Sequence, residues 1–230
     1  MRIIHSPMIE KVLAVKDWLL NFFFPLYCLG CQTEGNFLCP ACRQKLPPPG
    51  GEELPDWITA GFDYGDEVVR ELIWRLKYQK QTAVAGEMIA MLLEQESISG
   101  NLSRLTSQEK IWLVPVPLFW WRRWQRGYNQ AEILAQQLAK IDPTRLIVKK
   151  DLIKKIKNTS AQAKIKKRSE RLENLADAFV LNKSVSQINP HQIIILIDDV
   201  TTTGATLGEI RRLLTRAGYH HLHALVFAHG

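Results

Sequence analysis

Residues 193–206 read IIILIDDVTTTGAT, and few stretches of this length leave a chain so little choice of fold. Ile193, Ile194, Ile195, Leu196 and Ile197 are apolar without alternation and β-branched except at Leu196. That pattern predicts a strand buried on both faces, which belongs in a parallel sheet covered by helices. Downstream, LGEIRRLLTRAG places apolar residues at 207, 210, 213, 214 and 217, the spacing of a helix. Between the two lie Asp198, Asp199 and the run Thr201, Thr202, Thr203, Gly204, Ala205 and Thr206. The acidic pair is thereby expected at the carboxyl end of a strand, the edge at which open α/β sheets bind ligands.

The chemistry of such a loop favours a phosphate. First-turn N–H groups, the hydroxyls of Thr202, Thr203 and Thr206 and the positive end of the helix dipole converge there. Gly204 permits close approach of the backbone to an anion. Two adjacent carboxylates repel phosphate, so Asp198 and Asp199 are expected to face ribose hydroxyls, which donate hydrogen bonds, or a hydrated Mg2+, which takes oxygen ligands. The plainer alternative is a loop that only caps a helix. The motif resembles the ribose-phosphate signature of type I phosphoribosyltransferases. That resemblance implies that Asp198 and Asp199 are a catalytic pair holding the ribose hydroxyls of phosphoribosyl pyrophosphate. It likewise implies that Thr201, Thr202, Thr203, Gly204, Ala205 and Thr206 hold the 5′-phosphate.

All four cysteines fall in CLGCQTEGNFLCPAC, as Cys28, Cys31, Cys39 and Cys42. Two C-x2-C pairs can point four thiolates at one ion, the donor set of a structural zinc site with no open catalytic position. Disulfides, a redox pair or an iron–sulfur cluster are the competing uses of such cysteines. Reduced, zinc-bound thiols imply the cytoplasm. The preceding KVLAVKDWLLNFFFPLY is interrupted by Lys16, Asp17 and Asn21 and has no small-residue cleavage site, so neither a signal peptide nor a membrane span is expected. Its apolar residues at 12, 13, 15, 19, 20, 22, 23 and 24 predict an amphipathic helix packing on the cysteine element, with peripheral membrane contact as the alternative.

At 230 residues and 46% hydrophobic composition, the chain can bury one main domain plus an appendage. Its net charge of +7 is uneven: residues 145–171 hold eleven Lys or Arg against Asp151 and Glu170, a local +9 that leaves the remainder at −2. Such a cluster is a solvated surface or a polyanion-binding one.

Residues 47–55, PPPGGEELP, read as a linker. WITAGFDYG then suggests a strand, EVVRELIWRLKYQ and AVAGEMIAMLLEQE two helices, and residues 100–110 a polar connection. IWLVPVPL, RLIVKKDLIKKI, AFVL and HLHALVF supply further strands and AEILAQQLAK a helix, an alternation that argues for a mostly parallel sheet. FWWRRWQRGYNQ has three readings. Its tryptophans and arginines form a stacking platform for single-stranded nucleic acid, its arginines bind a pyrophosphate as forked donors, or its tryptophans cover a sheet edge.

Together these blocks resemble the ComF family, phosphoribosyltransferase-like proteins associated with competence and DNA uptake in bacteria. The resemblance rests on CLGC and CPAC, LKY at 76–78, VPVPL at 114–118, RGYNQ at 126–130, TSAQ at 159–162, RLEN at 171–174, AF at 178–179 and IDDVTTTGAT at 197–206. It implies a type I phosphoribosyltransferase-like α/β fold, a mostly parallel sheet flanked by helices, with a small N-terminal four-cysteine zinc element. By this reading residues 1–50 carry the N-terminal helix and zinc element. Residues 56–230 form the α/β domain, with a helical segment at 65–98 and a core at 111–230. Val116 and Pro117 with Arg122, Arg123 and Arg126 would bind pyrophosphate. Residues 157–174 would be a mobile loop that brings Lys157, Thr159, Gln162 and Arg171 over the substrate. The implied ligand is phosphoribosyl pyrophosphate with Mg2+, in DNA uptake or nucleotide metabolism. The alternative is a non-catalytic component that binds single-stranded DNA or senses phosphoribosyl pyrophosphate, alongside other DNA-uptake proteins.

Overall fold

The apolar run at Ile193 becomes the centre of a sheet. In the computed structural model, which describes residues 26–79, 82–106, 110–158, 177–182 and 189–230, β6 (Ile193–Thr201) lies between β2 (Ile111–Pro115) and β7 (Leu222–His229). Outside these stand β3 (Leu146–Val148) and β1 (Ile58–Asp63), giving the order β1-β7-β6-β2-β3 with every neighbour parallel. β6 outruns its apolar core and carries the acidic pair inside the strand, pairing Asp198 with Val226, Val200 with Ala228 and Thr201 with His229.

Alternation along the strands assigns the two faces. Ile194 and Leu196 join Val114, Ala224 and Val226 beneath α7 (Ala205–Arg216), which presents Leu207, Ile210 and Leu214. The same cluster takes in Ile153 and Phe179 from an antiparallel ribbon of β4 (Ile153–Lys155) and β5 (Phe179–Leu181). AFVL and LIKK thus form a pair apart from the main sheet.

The other face carries α2 (Glu67–Tyr78), α3 (Val84–Leu93), α4 (Glu96–Thr106) and α6 (Gln130–Ala139). Asp66 caps α2, its carboxylate accepting from the N–H groups of Val68 and Val69 at 2.9 and 3.0 Å. Val69, Leu72, Ile73 and Leu76 then form the buried stripe of α2. α3 packs so close to β1 that a Cβ on Gly61 would lie 2.2 Å from Leu92 Cδ2 and 3.0 Å from the Phe227 carbonyl oxygen.

α4 replaces the polar connection expected at residues 100–110. Gly100 and three serines disfavour a helix locally, but Ile98 and Leu102, one turn apart, are both buried and tertiary packing prevails. The chain divides into two compact units, Met1–Lys45 and Leu46–Gly230. The predicted helix at residues 12–24 and most of the loop predicted at 157–174 lie outside the described residues. Among the described residues, no helix is long and apolar enough to cross a membrane.

Candidate functional site

Because strand neighbours point to opposite faces, Asp198 and Asp199 diverge. Asp199 is buried on the helical face, where the Lys77 ammonium of α2 sits 2.9 Å from its Oδ2. Asp198 is half-buried on the α7 face, and its Oδ1 accepts the Asp199 N–H at 2.9 Å. Burial and the neighbouring Asp199 push Asp198 up to about 8, against the Asp199 N–H and the ammonium groups of Lys77 and Lys155, which pull it down. Burial works against the charge on Lys77, but Asp199 and then Asp198 outweigh it and hold the ammonium above its ordinary range. Lys155 of β4 is lowered by burial and by Arg122, with Asp198 opposing.

Beyond the pair, the chain folds tightly into α7. Thr201 is buried; its Oγ1 accepts the Gly204 N–H at 3.2 Å and its carbonyl oxygen lies 3.2 Å from His229 Nδ1. Its hydroxyl is thus engaged in shaping the turn. Gly204 adopts φ 69°, and a Cβ there would meet Ile58 Cδ1 at 3.0 Å. Turn and packing both demand glycine, independently of any anion. No side chain caps α7, which leaves its first-turn N–H groups to a ligand or water. Thr202 is exposed, and Thr203, Ala205 and Thr206 are half-buried around that opening.

The neighbouring edge of β2 is held by Asn129. Its side-chain amide donates to the Val116 carbonyl at 2.9 Å while its Oδ1 accepts the Ala131 N–H at 3.2 Å, tying the loop after β2 to the start of α6. The Val116 N–H continues the ladder to Ile197 at 2.9 Å, and Pro117 follows half-buried.

Next comes α5 (Trp120–Arg126), ended by Gly127 at φ 84°. Trp120, Trp121 and Trp124 are 65, 48 and 72% exposed, with successive ring centroids 5.8 and 5.0 Å apart, so they form a ladder in solvent and do not cover the sheet edge. Arg123 pairs with Glu132 at 3.2 Å. Arg126 donates to Gln130 Oε1 at 2.9 Å and lies 5.1 Å over the Tyr78 ring. Arg122 is half-buried beside Lys155. Lys157 is exposed, whereas Thr159, Gln162 and Arg171 lie outside the described residues.

In the smaller unit the four cysteine sulfurs lie within 4.8 Å of one another, with Cys31 and Cys39 at 3.6 Å. Tetrahedral zinc–sulfur bonds of about 2.3 Å put sulfurs about 3.8 Å apart, so the cluster suits a metal such as zinc. The first knuckle turns at Gln32, φ 62°, and closes through Cys28 N–H to the Thr33 carbonyl at 2.8 Å. The second rides on α1 (Pro40–Arg43), with proline in its first turn. A Cβ on Gly30 would sit 2.8 Å from Cys42 Sγ, so the backbone is pressed against the sulfurs. Burial raises the Cys28 thiol, but N–H groups of Cys39, Cys31 and Gly30 outweigh it and bring it down to about 6. The side-chain hydrogen bond with Cys39, then burial, pushes Cys42 up to about 12. Four thiolates without a cation repel one another, and a dication removes that conflict.

No protein-family model matches the chain. It is 32% identical over 203 residues to competence protein F of Haemophilus influenzae, covering 86% of this chain and 82% of that protein. It is 31% identical over 208 residues to competence protein ComFC of Bacillus subtilis, covering 83% and 78%. Over 188 residues it is 30% identical to the DNA utilization protein YhgH of Escherichia coli K12, covering 81% and 75%. The chain belongs to the ComF family.

Two of the ComF sequence blocks contain residues whose importance the sequence did not disclose. LKY carries Lys77, the partner of Asp199, and RGYNQ carries Asn129, the anchor of the loop after β2. An asparagine directly before a helical run is a readable cap signal. Lys77 offers no comparable signal, since a lysine beside an apolar stripe ordinarily extends to solvent.

Proposed function

We propose that the carboxyl edge binds phosphoribosyl pyrophosphate and transfers its phosphoribosyl group, in DNA uptake or a related branch of nucleotide metabolism. The observation carrying this reading is the acidic pair on the central strand, joined by one tight turn to the uncapped start of α7. First-turn N–H groups with Thr202, Thr203 and Thr206 suit the 5′-phosphate, and Asp198 and Asp199 suit the ribose hydroxyls. The relatives' names, competence and DNA utilization, support the biological setting.

Carboxylates are the hard oxygen donors Mg2+ takes, and the ion is commonly held by one or two of them plus substrate phosphates. The divergence of Asp198 and Asp199 favours one carboxylate over a joint chelate. Bound there, Mg2+ would neutralise charge on the pyrophosphate. The residues supply geometry: Asn129 fixes the loop of Val116 and Pro117 for the pyrophosphate, and Arg122 is proposed as a cation for it. Arg123 and Arg126, proposed for the same ligand, are engaged with Glu132 and Gln130. Lys157, Thr159, Gln162 and Arg171 are proposed to close over the ligand. The transfer replaces the C1′–O bond to pyrophosphate by a bond from the acceptor, and pyrophosphate leaves with the electron pair.

Zinc at Cys28, Cys31, Cys39 and Cys42 is structural in this reading, and the reduced thiols it requires suit the cytoplasm. Titration calorimetry with phosphoribosyl pyrophosphate and Mg2+, beside an assay for released pyrophosphate, tests the proposal. Asp198→Ala combined with Asp199→Ala abolishes binding; retained binding overturns the site.

The exposed Trp120, Trp121 and Trp124, in a chain whose sequence also carries the basic segment 145–171, favour a second reading, single-stranded DNA binding by stacking. It requires salt-dependent affinity for oligodeoxythymidylate that drops when Trp121 and Trp124 become Ala. Unchanged affinity removes α5 from that role.

A further inference from the structure

His229, the last residue of β7, is 3% exposed and stands against the turn that leads into α7. Its Nδ1 lies 3.2 Å from the Thr201 carbonyl oxygen and its Nε2 lies 2.6 Å from the Glu52 carbonyl oxygen. Both ring nitrogens thus face acceptors. A neutral imidazole carries one N–H and satisfies one carbonyl at a time, whereas the doubly protonated ring donates to both. A lone pair left facing another acceptor at this depth is costly, so the number of protons on the ring decides how many contacts hold.

The two carbonyls belong to opposite sides of the phosphate turn. Thr201 is the residue whose Oγ1 accepts the Gly204 N–H, so its position sets the start of α7. Glu52 lies in the stretch that the sequence presents as a plain linker, yet that stretch is built against the ring: a Cβ on Gly51 would lie 3.2 Å from His229 Nε2. Farther along it, Leu54 Cδ2 comes within 3.9 Å of where a Cβ on Gly204 would stand. Residues 51–54 therefore border the turn from outside, His229 holds it from the sheet, and the ring joins the two. The Tyr64 N–H donates to the His229 carbonyl at 2.8 Å and fixes the backbone behind the ring.

The other titratable groups around the ring come from three elements. Glu52 and Glu53 belong to the linker, and Asp63, the register partner of His229, and Tyr64 stand at the end of β1. On β6, Asp199 lies two residues before Thr201 and is paired with Lys77. The first turn of α7 carries no charged side chain.

We propose that His229 is a positioning residue of the phosphate turn: donating from both ring nitrogens, it clamps residues 51–54 to Thr201 and so fixes the first-turn N–H groups of α7 for the anion. The inference rests on the reading of that helix start as the 5′-phosphate site. His229 touches no substrate in this role and acts through Thr201 and Gly204. With one proton the ring releases one carbonyl, and the turn is held from one side only. Binding of the sugar phosphate therefore weakens as pH rises through titration of the ring.

The test uses the full chain, with calorimetry of phosphoribosyl pyrophosphate and Mg2+ across pH and long-range proton–nitrogen NMR of the His229 ring recorded without ligand. Two ring N–H signals are expected at the acid end of the profile and one at the basic end. His229→Leu removes both donors at similar volume; it weakens binding about tenfold, the worth of one charge-assisted hydrogen bond, and flattens the pH profile. Because that variant keeps Asp198, the difference between the two profiles belongs to His229. His229→Asn places an amide N–H where Nδ1 stood and restores part of the affinity, while His229→Gln places it where Nε2 stood and restores less. Protection of the β6 amides from exchange reports that the variants remain folded, and the Asn and Gln pair carries the comparison if His229→Leu does not fold. Affinity within about twofold of the unaltered protein in His229→Leu overturns the proposal. So do equal affinities in the Asn and Gln variants, or a ring that keeps a single N–H throughout. Failure of the unaltered protein to bind phosphoribosyl pyrophosphate is a distinct result: it overturns the parent reading and the ligand-positioning role with it, while the ring signals still report whether His229 bridges both carbonyls.

Discussion

In the cysteine cluster, four like groups from 15 consecutive residues are pressed together, and among the described residues of that unit the buried apolar ones are Cys28, Phe37 and Leu38. At the carboxyl edge, two like groups are separated by the pleat: Asp199 meets the Lys77 ammonium of α2, and Asp198 accepts the Asp199 N–H with the charge of Lys155 from β4 acting on it at longer range. The first arrangement suits a metal, which would remove the repulsion among its thiolates. The second is neutralised by a fold already stabilised through its own core. Removing the metal should therefore dismantle one region, while disturbing the other should cost only the local interaction.

The largest expected effect is on the cysteines. Chelation, or Cys39→Ser, forfeits a metal-binding free energy on the order of 10–16 kcal/mol. Hydrogen exchange should then show the Cys28 and Gln32 amides losing protection while those of β6 keep theirs. Protection retained at Cys28 would mean that contacts other than a metal hold the cluster. Gly61→Ala attacks the core beneath the sheet-edge site: the added methyl 2.2 Å from Leu92 Cδ2 must be relieved, at about 3 kcal/mol in urea denaturation. A neutral result there would show that α3 is not seated on β1 as described.

Lys77→Met should cost about 2 kcal/mol. That is below the 3–5 kcal/mol of a fully buried pair, because Lys77 keeps some solvent exposure. Adding Asp199→Asn should recover most of the loss, and a failure to recover would assign the cost to packing.

The last expected effect is a pH dependence. Asp198 titrates near 8 in the folded protein against 3.8 as its ordinary value, so its contribution to stability is fully present below about 4 and is lost as pH rises through about 8. Without divalent metal, Asp198→Asn should remove this slope and stabilise the protein at pH 8.5 by at least about 1 kcal/mol, the worth of one pKa unit. An equal slope in both proteins would show that Asp198 is already ionised at neutral pH.

The same contrast explains what the amino-acid sequence disclosed. Cys28, Cys31, Cys39 and Cys42 are close along the chain, and local spacing suffices to bring their sulfurs together. The strand, acidic pair, threonine loop and helix were legible for the same reason, being contiguous. Lys77 was not, because its direction depends on how α2 docks on the sheet. α4 was hidden by Gly100 and the serines around it, whose local preference yields to burial of Ile98 and Leu102. Gly204 was readable as a turn, but its packing against Ile58 involves a strand far upstream. The solvent-facing ladder of Trp120, Trp121 and Trp124 runs against the usual burial of aromatic residues.

The sugar-phosphate reading depends most on the start of α7. Backbone NMR during titration with phosphoribosyl pyrophosphate and Mg2+ addresses that point directly. Saturable shifts of the Thr203, Ala205, Thr206 and Leu207 amides are expected, lost in the Asp198→Ala, Asp199→Ala double variant. Binding that leaves those amides unmoved would contradict a phosphate site at the helix start.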